Sequence, residues 1–201
     1  DGAGARPART RGGVRLFVAV NLPESLKQSL AAVIGRLRDG GIEARWVDPM
    51  QVHLTMKFLG ETTAEQVEPA KRATDQAVAG VAPFTIGLGA AGVFPSERPR
   101  AIWLGVVEGV SEAAALQGRV EQAFADAGFT QESRPFVPHL TIGRPRKPHR
   151  DPRLAEAVER LANERFGETS VTAIHLMESI LTPTGPTYRS LHEARFRDHQ
   201  G

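Results

Sequence analysis

The sequence writes His-Leu-Thr twice: first in Val52-His53-Leu54-Thr55-Met56-Lys57-Phe58, then in Pro138-His139-Leu140-Thr141-Ile142-Gly143-Arg144. Histidine is the side chain whose ordinary pKa lets it take or give a proton near neutrality. Two histidines facing each other across a cleft form an acid–base pair. The neutral one accepts a proton from an attacking group while the protonated one supplies a proton to a leaving oxygen. Cleavage of a phosphodiester through an in-line pentacoordinate state calls for that arrangement. Threonine hydroxyls two residues from each imidazole can then donate to the non-bridging oxygens where charge grows. A lone His-x-Thr is more often a satisfied structural histidine. Its repetition in matching contexts carries the reading.

These residues need strands to present them. Successive side chains of an extended strand point to opposite faces. Alternation therefore predicts His53, Thr55 and Lys57 on one face, with Leu54, Met56 and Phe58 on the other. His139 and Thr141 likewise share a face, with Leu140 and Ile142 buried. Lys57 could supply a positive charge to a phosphate, as could Arg134 or Arg144. Strict alternation turns Arg144 away from His139 unless the chain bends after Gly143. Among the aromatic residues, Phe136 is the candidate to stack a base, while Phe17 and Phe58 are assigned to the core. His149, His175, His192 and His199 have no accompanying threonine and read as surface or structural residues, and Tyr188 is expected to pack at a hairpin.

Around the two motifs the chain alternates helical and extended patterns. Arg15–Val20 is a dense apolar run suited to a buried strand. Leu26, Leu30, Val33 and Leu37 then repeat at helical spacing up to Gly40-Gly41. Thr62 with Glu65 has the form of a capping box opening a second helix. Phe84–Phe94 and Ala101–Val107 read as strands. Ser111 can cap a third helix carrying Leu116, Val120 and Phe124. Asp151-Pro152 opens a fourth, predicted to carry Leu154, Val158, Leu161 and Phe166 and to stop at Gly167. Ser170–Leu181 and Thr187–Phe196 are strand-like, and a basic, proline-rich loop spans Arg144–Arg150. The pattern predicts an α+β protein of two similar lobes rather than a doubly wound sheet. Residues 1–13, rich in Gly, Ala and Arg, read as a flexible basic tail ahead of one bilobal domain over 14–201.

With 201 residues, 41% hydrophobic and 24% charged, the chain has the composition of a globular protein. A formal net charge of +2 permits a nucleic-acid partner without demanding one. The absence of cysteine excludes disulfides, thiolate catalysis and cysteine-ligated zinc. No cluster has metal-ligand spacing, and no apolar run approaches a membrane span. The expectations are therefore a cytoplasmic monomer with no cofactor, no metal and no membrane.

The sequence resembles the two-histidine (2H) phosphoesterases, and more closely the RNA 2′,3′-cyclic phosphodiesterases also described as 2′–5′ RNA ligases. The resemblance covers nearly the whole chain after the tail. It rests on Arg15-Leu16-Phe17-Val18-Ala19-Val20, Arg45-Trp46-Val47, His53 through Glu61, Trp103-Leu104-Gly105, Arg134 through Arg144, and Leu181 through Tyr188. Met56 stands where that family more often has leucine. The resemblance implies a bilobal α+β fold with antiparallel-rich sheets, helices outside and a central groove lined by His53, Thr55, His139 and Thr141. It implies metal-independent opening of an RNA 2′,3′-cyclic phosphate to a 2′-phosphate, with 2′–5′ joining as the reverse reaction. By the same analogy His53 is the acid and His139 the base, with Lys57, Arg134, Phe136 and Arg144 as substrate contacts. Two other functions compete: a phosphodiesterase acting on small cyclic nucleotides or ADP-ribose cyclic phosphate, and a non-catalytic RNA-binding module.

Overall fold

A computed structural model describes residues 13–147, 151–183 and 185–197. The tail over residues 1–12, together with His149 and His199, lies outside them. In chain order the elements are β1 (Val14–Asn21), α1 (Glu24–Asp39), β2 (Ala44–Trp46), β3 (His53–Thr62), α2 (Val67–Val78), β4 (Phe84–Phe94) and β5 (Ala101–Glu108). They continue with α3 (Val110–Asp126), β6 (His139–Pro145), α4 (Pro152–Arg160), β7 (Arg165–Val171), β8 (Ala173–Thr182) and β9 (Gly185–Arg195). The strands form two sheets, ordered β3-β1-β8-β9 and β2-β6-β5-β4-β7. All pairings are antiparallel, which sets the fold apart from a doubly wound parallel sheet.

Apart from the short β2, the sheets correspond strand for strand: β3 with β6, β1 with β5, β8 with β4, and β9 with β7. Neither sheet belongs to one half of the chain. Strands β8 and β9 come from the C-terminal end yet complete the sheet begun by β1 and β3. The helices cross over as well. Helix α1 leaves the first sheet and packs near β7 of the second, where Arg36 and Glu164 form an ion pair at 2.7 Å. Helix α3 leaves the second sheet and packs against α2 and β3. One continuous apolar core results, holding Leu54 and Met56 of β3 together with Leu140 and Ile142 of β6. Fully burying such a side chain contributes about 1.5–3 kcal/mol. A one-residue slip of either strand would turn these side chains out, so burial pins the register.

Two predicted details differ. The second helix is preceded by a turn in which the Thr63 N–H, not Thr62, donates to the Gln66 side-chain oxygen at 2.9 Å. The Thr62 hydroxyl instead donates to the Val14 carbonyl at 2.8 Å. The fourth helix opens as predicted, with Asp151 accepting from the Arg153 N–H at 3.0 Å, but it ends at Arg160. Phe166 lies five residues past Leu161, off the helical stripe. Its segment is β7, held by β4 from Phe84↔Val171 to Gly89↔Arg165. An available strand partner outweighs one more helical turn.

Candidate active site

Strands β3 and β6 lie against each other where the two sheets meet. Each begins at its histidine, and each has the same sequence of burial: half-buried His, buried apolar residue, half-buried Thr, two buried residues, then an exposed one. Two consecutive buried positions break strict alternation, and the pairing shows why. Ala19 lies opposite Thr55 and Val18 opposite Lys57, leaving Met56 as an extra residue. Trp103 lies opposite Thr141 and Ile102 opposite Gly143, leaving Ile142 as the extra residue. Both strands thus carry a β-bulge three residues after the histidine. A bulge re-aims every side chain that follows it.

The bulge corrects two expectations and supplies the bend on which a third depends. Lys57 does not share the face of His53. It points into the core, where its ammonium donates to Glu121 at 2.6 Å and to the Thr130 carbonyl at 2.8 Å. Phe58, assigned to the core by alternation, is 73% exposed, with its ring 6.2 Å from Phe17. Arg144 is brought to the His139 face and is exposed. Its charge acts on Tyr188 of the opposite sheet, where burial raises the phenol's pKa and Arg144 and Arg15 oppose that rise.

Both imidazoles are held the same way. The Nδ1 of His53 lies 2.8 Å from the Gln51 carbonyl, and the Nδ1 of His139 lies 2.6 Å from the Val137 carbonyl. A carbonyl oxygen only accepts, so each Nδ1 carries a hydrogen and Nε2 is left for proton exchange. The surroundings differ. His53 stacks on Phe17 at 4.8 Å and meets the edge of Tyr188 at 5.0 Å. Burial lowers its pKa below the ordinary 6.5, with the Gln51 carbonyl pulling the other way and the Lys27 charge adding to the fall. His139 meets Phe94 at 5.3 Å and Trp103 at 6.3 Å, both edge-on. Trp103 stacks on Phe94 at 4.9 Å and lies flat on Gly92, where an added Cβ would sit 2.0 Å from the indole. Only glycine admits that approach.

His53 and Thr55 therefore stand on β3 and His139, Thr141 and Arg144 on the adjoining β6, and the other expected contacts lie elsewhere. Arg134 sits on the exposed segment before β6, where its guanidinium grips the Glu132 carboxylate at 3.1 and 2.6 Å. Glu132 is held down to a pKa of about 2 by that contact. Phe136 is half-buried and packs against the core. Phe17, Tyr188, Phe94 and Trp103 enter the site through pairings distant in sequence. Tyr188 does lie on the β8–β9 hairpin, as expected, but its ring belongs to the His53 cluster. His175 contacts Ser190 at 3.3 Å and lies opposite Ala19, on the sheet face of Phe17 and Met177, whereas His192 contacts Asp75 of α2 at 2.7 Å. Among the described residues no group of three or more His, Cys, Asp or Glu side chains is arranged to hold a metal ion.

The chain is 34% identical to the RNA 2′,3′-cyclic phosphodiesterase of Methanothermobacter thermautotrophicus, over 90% of this chain and 98% of that protein. It is 36% identical to the protein of the same name from Aquifex aeolicus, over 90% and 96%. Its fold matches the TT0787 protein of Thermus thermophilus with a TM-score of 0.73 at 30% identity, covering 92% of this chain and 99% of that one. It also matches Escherichia coli LigT complexed with 3′-AMP, with a TM-score of 0.73 at 24% identity and the same coverage. The family model of the 2′-5′ RNA ligase superfamily matches residues 23–181. By sequence and by fold, the chain belongs to the 2′-5′ RNA ligase superfamily.

Proposed function

We propose that this protein is an RNA 2′,3′-cyclic phosphodiesterase, opening a terminal cyclic phosphate to a 2′-phosphate, with 2′–5′ joining as the reverse reaction. The observation that carries it is the pair of imidazoles, each fixed through Nδ1 to the carbonyl two residues back, on strands that lie against each other. Relatives that carry the name of this activity match nearly the whole chain. In the reaction a water oxygen attacks phosphorus and gives its proton to one Nε2. The bond from phosphorus to the 3′-oxygen breaks, and the other Nε2–H protonates that oxygen to a hydroxyl. Thr55 and Thr141 donate to the non-bridging oxygens, and Arg144 balances the phosphate charge. Phe58 and Phe94, exposed on either side, offer ring faces to the bases.

His53 takes the donor role in this reading. Burial disfavours its charged form, so an imidazolium formed there beside the phosphate sheds its proton readily. The donor must be protonated in the free protein, so kcat/KM falls as pH rises through the lowered pKa of His53, on the acid side of 6.5. A substrate with a 3′-sulfur leaving group needs no proton; it should rescue His53→Ala and not His139→Ala. Rescue of His139→Ala instead reverses the roles.

The deciding experiment compares a short RNA ending in a 2′,3′-cyclic phosphate with a cyclic mononucleotide, both in the presence of chelator. Turnover of the RNA is expected. Turnover of the mononucleotide alone would assign a small-molecule phosphodiesterase, and binding without turnover an RNA-binding module. Loss of turnover under chelator, restored by a divalent ion, would overturn the mechanism. The protein is read further as a cytoplasmic monomer with residues 14–201 as one folding unit, because both sheets draw strands from both halves of the chain. Size measurement in solution checks the first, and a single unfolding transition the second. Among the described residues no helix is long and apolar enough to cross a membrane.

A further inference from the structure

We propose that the Lys57–Glu121 ion pair positions His139 relative to His53, making Lys57 a positioning residue for the other strand's histidine. The proposal rests on reading the two histidines as one acid–base pair. Lys57 lies four residues beyond His53 on β3 and is turned inward by the bulge at Met56. Its side chain is 1% exposed and that of Glu121 13%. A buried ammonium without acceptors is strongly disfavoured, so the contacts it makes are enforced. They are Glu121 Oε2 on α3 and the Thr130 carbonyl beyond α3. The same Oε2 accepts from the Glu132 N–H at 3.2 Å, while Oε1 accepts from the Gln117 amide at 3.2 Å.

Thr130 and Glu132 belong to the segment that delivers β6, and that segment has neither helix nor strand bonds to hold it. Glu132 in turn accepts from the N–H and the guanidinium of Arg134. The segment ends at Val137, whose carbonyl holds the His139 Nδ1–H, and at Pro138, whose carbonyl accepts from the Val106 N–H. Its placement therefore fixes both the tautomer and the position of the His139 ring. The corresponding bulge in β6 has no such reach. Its second buried residue is Gly143, and Trp46 of β2 fills the space, 2.8 Å from where a Cβ would stand. The brace runs one way, from the strand of His53 to the approach of His139.

The test uses Lys57→Met, Glu121→Gln and the double variant Lys57→Met/Glu121→Leu, in which apolar side chains replace the buried pair and restore packing. The readouts are kcat and KM on RNA with a 2′,3′-cyclic phosphate end, the His139 Nδ1–H resonance by NMR, and the melting temperature. The expected loss in kcat is about 10–10²-fold, because a misplacement near 1 Å costs rates on that scale, with KM changed less than about threefold. The His139 resonance should shift while that of His53 stays. The double variant should regain its melting temperature but neither kcat nor the resonance; should Lys57→Met fail to fold, this variant and Glu121→Gln decide. Recovery of kcat together with stability, or an unmoved His139 resonance in a folded variant, overturns the proposal. If the wild-type protein does not turn over the RNA, the proposed activity fails, and the resonance comparison alone decides the brace.

Discussion

The strands of His53 and His139 agree in everything that orients an imidazole and differ in what surrounds it. Both begin at the histidine, bind Nδ1 to the carbonyl two residues back and bulge at the third residue after it. Beyond the bulge they part company. The first has an inward Lys57 and an outward Phe58; the second has Gly143 under Trp46 and an outward Arg144. His53 is stacked and desolvated between Phe17 and Tyr188, whereas His139 meets only ring edges. On the function proposed above, the common geometry serves two proton transfers to one phosphate, which need two rings held alike. The surroundings need not match, because a substrate strand has no twofold symmetry.

The strongest way to break this comparison is to remove each histidine. His53→Ala and His139→Ala should each lower the single-turnover rate by about 10²–10⁴-fold. A variant of either retaining near-normal turnover would reduce its strand to scaffold. Thr55→Val and Thr141→Val keep the shape and remove one donor. Each should cost roughly 10–10³-fold in rate, with the double variant losing less than the product because both act on one phosphate. Unchanged rates in both would confine the shared design to the histidines.

The positions just past the bulges sharpen the contrast. Phe58→Ala should weaken binding of the RNA by about 1–3 kcal/mol if a base stacks there, and the loss should be the same at low and high salt. Arg144→Ala should weaken binding in a way that shrinks as salt rises, since the lost contact is to a phosphate. Equal salt dependence in the two titrations would mean that these positions do not divide the work as their chemistry suggests. The smallest effect concerns stability. Gly143→Ala forces a methyl against Trp46 and should destabilise by roughly 1–3 kcal/mol. An unmoved denaturation midpoint would show that the indole yields freely.

What could be read in the sequence was whatever repeats locally. The paired His-Leu-Thr strands, the dense strand at Arg15–Val20 and the helical stripe of Leu26 to Leu37 all reach their expected places. Alternation failed one residue past each threonine, because a bulge is set by the partner strand and leaves no local mark. That single failure misplaced Lys57 and Phe58 together and left Arg144 dependent on a bend. Tyr188 and Trp103 were invisible as site residues for a similar reason. Their distances to the histidines are set by β8–β9 and β5–β6 pairing, not by spacing along the chain. Strand β7 was lost to an apolar residue that could also have ended a helix.

The exchange of strands between the sheets has a consequence for synthesis. The sheet of His53 is finished by β8 and β9, and the Tyr188 ring that packs on that imidazole comes from a strand far along the sequence from β3. A nascent polypeptide emerging from the ribosome can form the β4–β5 hairpin early, but it cannot enclose His53 until β8 and β9 have followed. Such long-range closure makes for slow, all-or-none folding. A chain released before β9 would carry both His-Leu-Thr motifs and still lack the ring that packs on His53.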